Sequence, residues 1–136
     1  MALHMIKLVV GASTIEDLLD WRARNAVTGD PWILRTRMTP KRWAEMVDGG
    51  SVYRVFRGVI LCRQKILAVN TVGEGAAARC EVTLDEHVVR VAPTPRRAFQ
   101  GWRYLEARDA PADLDEAAFG EVPPELARQL REVGAW

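Results

Sequence analysis

The sequence predicts an α+β protein built on a curved, mostly antiparallel sheet or an open β-barrel, with two to three short helices. Three observations lead there. Strand-like segments crowd the middle of the chain while helix-like segments lie early and late, an order that separates helices from sheet rather than alternating them. The longest apolar run, Ser51–Leu67 (SVYRVFRGVILCRQKIL), is rich in β-branched and aromatic residues, which suit a pleated surface. Arg79–Leu84 then sets Cys80, Val82 and Leu84 against Arg79, Glu81 and Thr83, the period of a half-buried strand.

Taken in order, Met5–Val10 reads as a first strand ended by Gly11. Ser13 followed by Glu16 has the spacing of a capping box, and opens a helix from about Thr14 to Ala26. Ile15, Leu18, Leu19 and Arg22 lie on one stripe of it, with Trp21 beside them. Thr28-Gly29-Asp30-Pro31 is a turn, and Trp32–Met38 a second strand. Thr39 caps a second helix with Pro40 at its first position. Trp43, Met46 and Val47 are its buried stripe, and Gly49-Gly50 its stop. Lys41 and Arg42 fall in its first turn, where positive charge opposes the dipole.

Ser51–Leu67 is the central strand. Neither parity of its residues is polar throughout, so both faces are expected to be covered. Gly58 marks a bulge or bend. Lys65–Val72 continues the strand or begins another, and 73–78 is a loop. Arg79–Leu84 and Val88–Ala92 are two strands, and Pro93-Thr94-Pro95 is an extended connector. After Arg96–Leu105 come an acidic loop and a last helix from about Pro124 to Val133.

At 136 residues, with 49% hydrophobic and 27% charged residues, the composition is that of one globular domain over 1–136. Its acidic segment is 109–136. No apolar run is long enough to span a bilayer. The first ten residues are interrupted by His4 and Lys7 and do not read as a leader. The expected setting is cytoplasmic, without membrane contact. Cys62 and Cys80 lie inside predicted strands and read as small buried hydrophobes. Two cysteines and two histidines without close spacing make no zinc site. Neither a metal nor a cofactor is expected.

Charge is unevenly spread. Residues 35–108 carry 14 basic side chains against 7 acidic ones, and residues 109–136 carry 2 against 7. Only Lys7, Lys41 and Lys65 of the 19 basic residues are lysine. Arginine dominance suits bidentate recognition of carboxylate or phosphate, although a genome of high GC content would produce it too. The middle run places Arg54, Arg57, Arg63 and Lys65 among apolar residues. Each guanidinium there must be paired, reach water or face a ligand, because burying it alone is costly.

For catalysis the chain offers little. It has no G-x-S-x-G, P-loop, dinucleotide or H-E-x-x-H pattern. His87 beside Asp85-Glu86 reads as a surface turn. The stronger signal is RRAFQGWRYL, residues 96–105, where aromatics alternate with arginines. Aromatic faces stack bases, arginines hold phosphates, and a glutamine reads a base edge. The expectation is therefore a non-enzymatic nucleic-acid-binding domain, for RNA or a nucleotide. Arg54, Arg57, Arg63, Arg96, Arg97 and Arg103 would contact phosphates, Tyr53, Trp102 and Tyr104 would stack, and Gln100 would contact a base. Arg35, Arg37, Lys41 and Arg42 could extend the same positive field. The same aromatics read equally as core packing. Two alternatives remain: a small enzyme whose arginines clamp an anionic or nucleotide substrate, and a protein-interaction module whose acidic tail covers the basic face.

HMIKL, GGSVYRVFRGVILCRQKIL and PRRAFQGWRYL together resemble an alphaproteobacterial family labelled domain of unknown function 1489. The resemblance covers essentially the whole chain and is most specific in FQGWRYL. It implies no activity, cofactor or site residue. The order of strands and short helices is also similar to that of PUA-like folds, which bind RNA or modified bases. The G-x-K-x-x-E-x-R signature of one PUA-like branch is absent at Gly58, where the chain reads GVILCRQK. That comparison concerns fold alone.

Overall fold

In the computed structural model the described residues are 2–26, 29–97 and 99–114. They form an α+β fold: one open six-stranded sheet with two helices, not closed into a barrel. The strands are β1 (Leu3–Leu8), β2 (Trp32–Thr36), β3 (Ser51–Phe56), β4 (Val59–Val72), β5 (Arg79–Pro95) and β6 (Trp102–Glu106). Helix α1 spans Ile15–Asn25 and α2 spans Trp43–Val47. The spatial order is β2-β5-β4-β3-β1-β6. Four neighbouring pairs are antiparallel, and β1 with β3 is parallel. The expected final helix at 124–133 lies outside the described residues.

The sheet is covered on both faces, as the apolar density of Ser51–Leu67 required. One core holds Leu3, Met5, Val52, Phe56, Leu61 and Ile66 against Ile15 and Leu18 of α1 and Met46 of α2. The other holds Ile6, Tyr53, Val55, Ile60, Val91 and Leu105, with Phe99 and Ala110 packed over them. Adjacent residues on β1 and β3 thus enter opposite cores, because strand side chains alternate.

Ser51–Leu67 is a hairpin rather than one strand. Arg57 (φ +47°) and Gly58 (φ +83°) form a two-residue turn with both φ positive, the geometry whose twist suits adjoining antiparallel strands. Conversely, the two strands expected at 79–84 and 88–92 are one. β5 runs unbroken through the expected Pro93-Thr94-Pro95 connector and pairs with β4 along almost its whole length. Register shifts between Ile60 and Cys62, Gln64 and Ile66, and Ile66 and Ala68 bend this long ribbon. The first of them explains why Leu61 and Cys62, neighbours in sequence, both enter the larger core.

The helix caps are shifted. Thr14, not Ser13, is the N-cap of α1: its hydroxyl accepts from Asp17 N–H at 3.1 Å, and Asp17 Oδ2 accepts from the backbone N–H of Ser13 and Thr14. That register sends Ile15 and Leu18 inward and leaves Glu16 free to pair with Arg90 at 2.6 Å. Leu19 and Trp21 stay exposed. Helix α2 is five residues long, starts after Arg42 and has no side-chain cap. Thr39 bonds Thr71 instead, Oγ1 to Oγ1 at 2.6 Å. Arg42 is therefore the N-cap and Lys41 the residue before it, rather than members of the first turn. Trp43 is exposed, and Met46 carries the buried face.

Candidate anion-binding site

The parallel pair brings several cations to one end of the sheet. β1 and β3 point the same way, so the loop after β1 and the turn after β3 lie side by side. Val9 N–H bonds the Val55 carbonyl at 2.9 Å. β5 arrives from its other side, and Arg96 N–H bonds the Gly58 carbonyl at 2.8 Å. β6 starts there too, with Lys7 Nζ 3.5 Å from the Gly101 carbonyl oxygen. Arg57, Arg96 and Arg97 are exposed at this end, and none of them is in an ion pair among the described residues.

Strand register sets a second group behind them. Lys7 pairs with Trp102 on one side and Arg54 on the other; Arg54 pairs with Cys62, and Cys62 with Arg90. Paired residues share a sheet face, so Lys7, Arg54 and Arg90 stand in one row beneath α1. Arg90 is met by Glu16. Lys7 and Arg54 meet no carboxylate among the described residues. Burial and the neighbouring Arg54 charge push the Lys7 amine below its ordinary range.

Arg54 is the unusual member. It is 5% exposed, and its Nη1–H donates to Gln64 Oε1 at 2.9 Å. Its Nε–H is buried with no acceptor. Burial pushes its guanidinium below the ordinary value. Gln64, wholly buried, donates its own amide to the Asp85 carbonyl at 3.4 Å, which aims Oε1 at Arg54. The residue facing the charge is thus a neutral amide. A buried charge left without a counter-ion costs about 3–5 kcal/mol. Arg54 lines a pocket of about 230 Å³ with Val9, Val10, Gly11, Ala12, Leu18 and Trp21, between the β1–α1 loop and α1.

A family model described as "Protein of unknown function (DUF1489)" matches residues 5–136. The chain belongs to this family. No curated protein and no solved structure matches it, so the PUA-like comparison gains nothing from them.

Within this DUF1489 chain the expected site residues divide. Arg57, Arg96 and Arg97 gather at the β1/β3 end, and Arg54 is buried behind them. Gln100, exposed, adjoins them in the loop before β6. Arg103, also exposed, bonds the Gln100 and Trp102 carbonyls at 2.9 Å and lies 5.5 Å over the Phe99 ring. Arg63 does not join them. It binds both oxygens of Asp113 at 2.7 Å and Ser51 Oγ at 3.0 Å, and this pair holds the Asp113 carboxyl below its usual range. Tyr53 is 4% exposed and edge-on to His4, leaving no ring face for a base.

Trp102 and Tyr104 are half-buried and T-shaped to each other at 4.9 Å. Trp102 Nε1–H donates to the Met38 carbonyl, and the Tyr104 hydroxyl accepts from Arg42 N–H. Both rings therefore bracket the β2–α2 connection against the sheet. Arg35 and Arg42 are paired, with Glu81 and Glu45 respectively. Lys7 and Gln64 escaped the sequence reading. A lone glutamine inside an apolar run was the available signal for Gln64; nothing local marked Lys7. Among the described residues no group of histidines, cysteines and carboxylates could hold a metal, and no helix is long and apolar enough to cross a membrane.

Proposed function

We propose that the protein is a non-enzymatic, cytoplasmic RNA-binding domain that grips phosphates at the shared end of β1 and β3. The observation that carries this reading is the Arg96 N–H to Gly58 carbonyl bond. It joins the turn bearing Arg57 to the segment bearing Arg96 and Arg97, so three exposed guanidiniums, in no ion pair among the described residues, gather where the sheet ends. Arg103 extends the group, and Gln100 supplies an amide beside it for a base edge. Lys7 and Arg54 add to the positive potential from behind. Tyr53 and Arg63 have no part in this version of the face, and Trp102 and Tyr104 act as its support rather than as open stacking platforms.

The Arg54 pocket offers no support for catalysis. The residues lining the Arg54 pocket include no histidine, carboxylate, serine or cysteine, so nothing there can move a proton or attack a substrate.

Binding to a single-stranded RNA should weaken steeply with salt, because each neutralised phosphate releases counter-ions. Replacing Arg96→Ala with Arg97→Ala should flatten the slope of log K against log salt by about 1.4, the share of two single-strand contacts. Absence of binding at low salt by folded protein removes the proposal. So does a slope the double variant leaves unchanged.

A further inference from the structure

We infer that the pocket between the β1–α1 loop and α1 binds a small carboxylate that carries an apolar or aromatic body, with Arg54 as the group that recognises the charge. Arg54 also adds its charge to the RNA-binding face from behind, but recognition here does not rest on the exposed Arg57, Arg96 and Arg97 of that face.

Arg54 is 5% exposed, its Nε–H is buried with no acceptor, and among the described residues its guanidinium bonds the neutral Gln64 alone. Glutamate is nearly isosteric with Gln64 and would supply an internal carboxylate, at the loss of the amide that donates to the Asp85 carbonyl. The chain instead keeps a desolvated guanidinium with no ion pair among the described residues, on a side chain that lines a space of about 230 Å³. A guanidinium edge presents parallel N–H groups matched to the two oxygens of a carboxylate.

The walls decide the rest of the ligand. Val9, Val10, Ala12 and Leu18 are aliphatic, and Trp21 is a half-exposed aromatic ring. The aliphatic walls offer no side-chain donor for the third and fourth oxygens of a phosphate or sulfate. An aliphatic or aromatic body satisfies them. The volume exceeds the roughly 150 Å³ of an apolar cavity that admits benzene, so an aromatic carboxylate fits with its charged end on Arg54.

The test uses the whole chain and three probes: benzoate, acetate and inorganic phosphate. Binding is followed by the NMR resonance of the Arg54 Nε–H and by thermal denaturation. Benzoate should shift that resonance and raise the melting temperature. Acetate, which lacks the body, should bind at least about tenfold more weakly, and phosphate should leave the resonance unmoved at the same ionic strength. Gln64→Glu should place a carboxylate against Arg54, raise the melting temperature without ligand, and cut benzoate affinity at least about tenfold. Trp21→Ala should weaken benzoate while leaving acetate unchanged. Arg96→Ala with Arg97→Ala should leave benzoate binding intact, which separates this site from the RNA-binding proposal. The inference is overturned if benzoate does not move the Arg54 resonance. Phosphate binding there as tightly as benzoate overturns it, and so does a folded Gln64→Glu variant that binds benzoate like the parent protein.

Discussion

At the scale of single residues, two arginines of the middle hairpin are held where arginine is a poor choice. Arg54 is desolvated opposite a neutral amide. Arg57 occupies a left-handed conformation at φ +47°, which costs an L-residue with a Cβ about 1–2 kcal/mol. Asparagine tolerates that conformation and is favoured before glycine in this turn type. Arg57→Asn should therefore raise unfolding stability by about 0.5–1 kcal/mol. The same change should reduce the salt slope of RNA binding by about 0.7, one phosphate contact. Urea unfolding and a salt titration check the two halves separately. A variant that is no more stable would mean that Arg57 itself makes a compensating contact. Asp17, whose carboxyl is held below its usual range first by the Ser13 N–H and last by the Arg57 charge, is the nearby candidate.

At the scale of elements, short connections place the cations. The hairpin turn, the loop after β1 and the end of β5 meet only because β1 and β3 run parallel and β3 and β4 are joined by two residues. The approach to β3 is equally constrained. Gly50, between α2 and β3, is buried, and a Cβ there would collide with the backbone carbonyl oxygens of Leu3 and Met46. Backbone atoms cannot rotate away as a side-chain tip can. Gly50→Ala should cost about 3 kcal/mol or more, the upper end of overpacking penalties. The same substitution at Gly11, where no atom lies within 4 Å of the added carbon, should cost only the strain of its positive φ, about 1–2 kcal/mol. Denaturant midpoints of the two variants decide this; equal losses would mean that β3 can shift to admit the methyl group.

At the scale of the whole molecule, the long β4–β5 ribbon ties the edge strand β2 to the β3-β1-β6 half. Cys62 and Cys80 sit at 0% exposure on that ribbon and belong to the same core. Burial pushes the Cys62 thiol up to about 12, so mildly alkaline buffer does not produce the reactive thiolate. Both thiols should resist a disulfide reagent at pH 8 in the native protein and label together, at a rate that follows global unfolding. Faster labelling of Cys80 would show that β2 and its half of β5 open independently.

The sequence by itself determined the α+β class, the buried middle run, the two interior cysteines and the alternation of Arg79–Leu84. Each depends on local composition and on a period of two, which neighbouring residues carry regardless of what they later touch. It also marked Arg54, Arg57, Arg96 and Arg97, because charge inside or beside apolar runs is visible without coordinates. It misjudged continuity, reading a hairpin as one strand and one strand as two. A two-residue turn and a bulged ribbon differ in backbone dihedrals and partner register, which composition does not report. Only the tertiary structure decided which guanidiniums meet a carboxylate. Arg63 and Asp113 are 50 residues apart, and the amide aimed at Arg54 comes from the opposite strand of its hairpin. Counter-ions are chosen by distances between elements, and those distances exist only once β1, β3, β4 and β5 have paired.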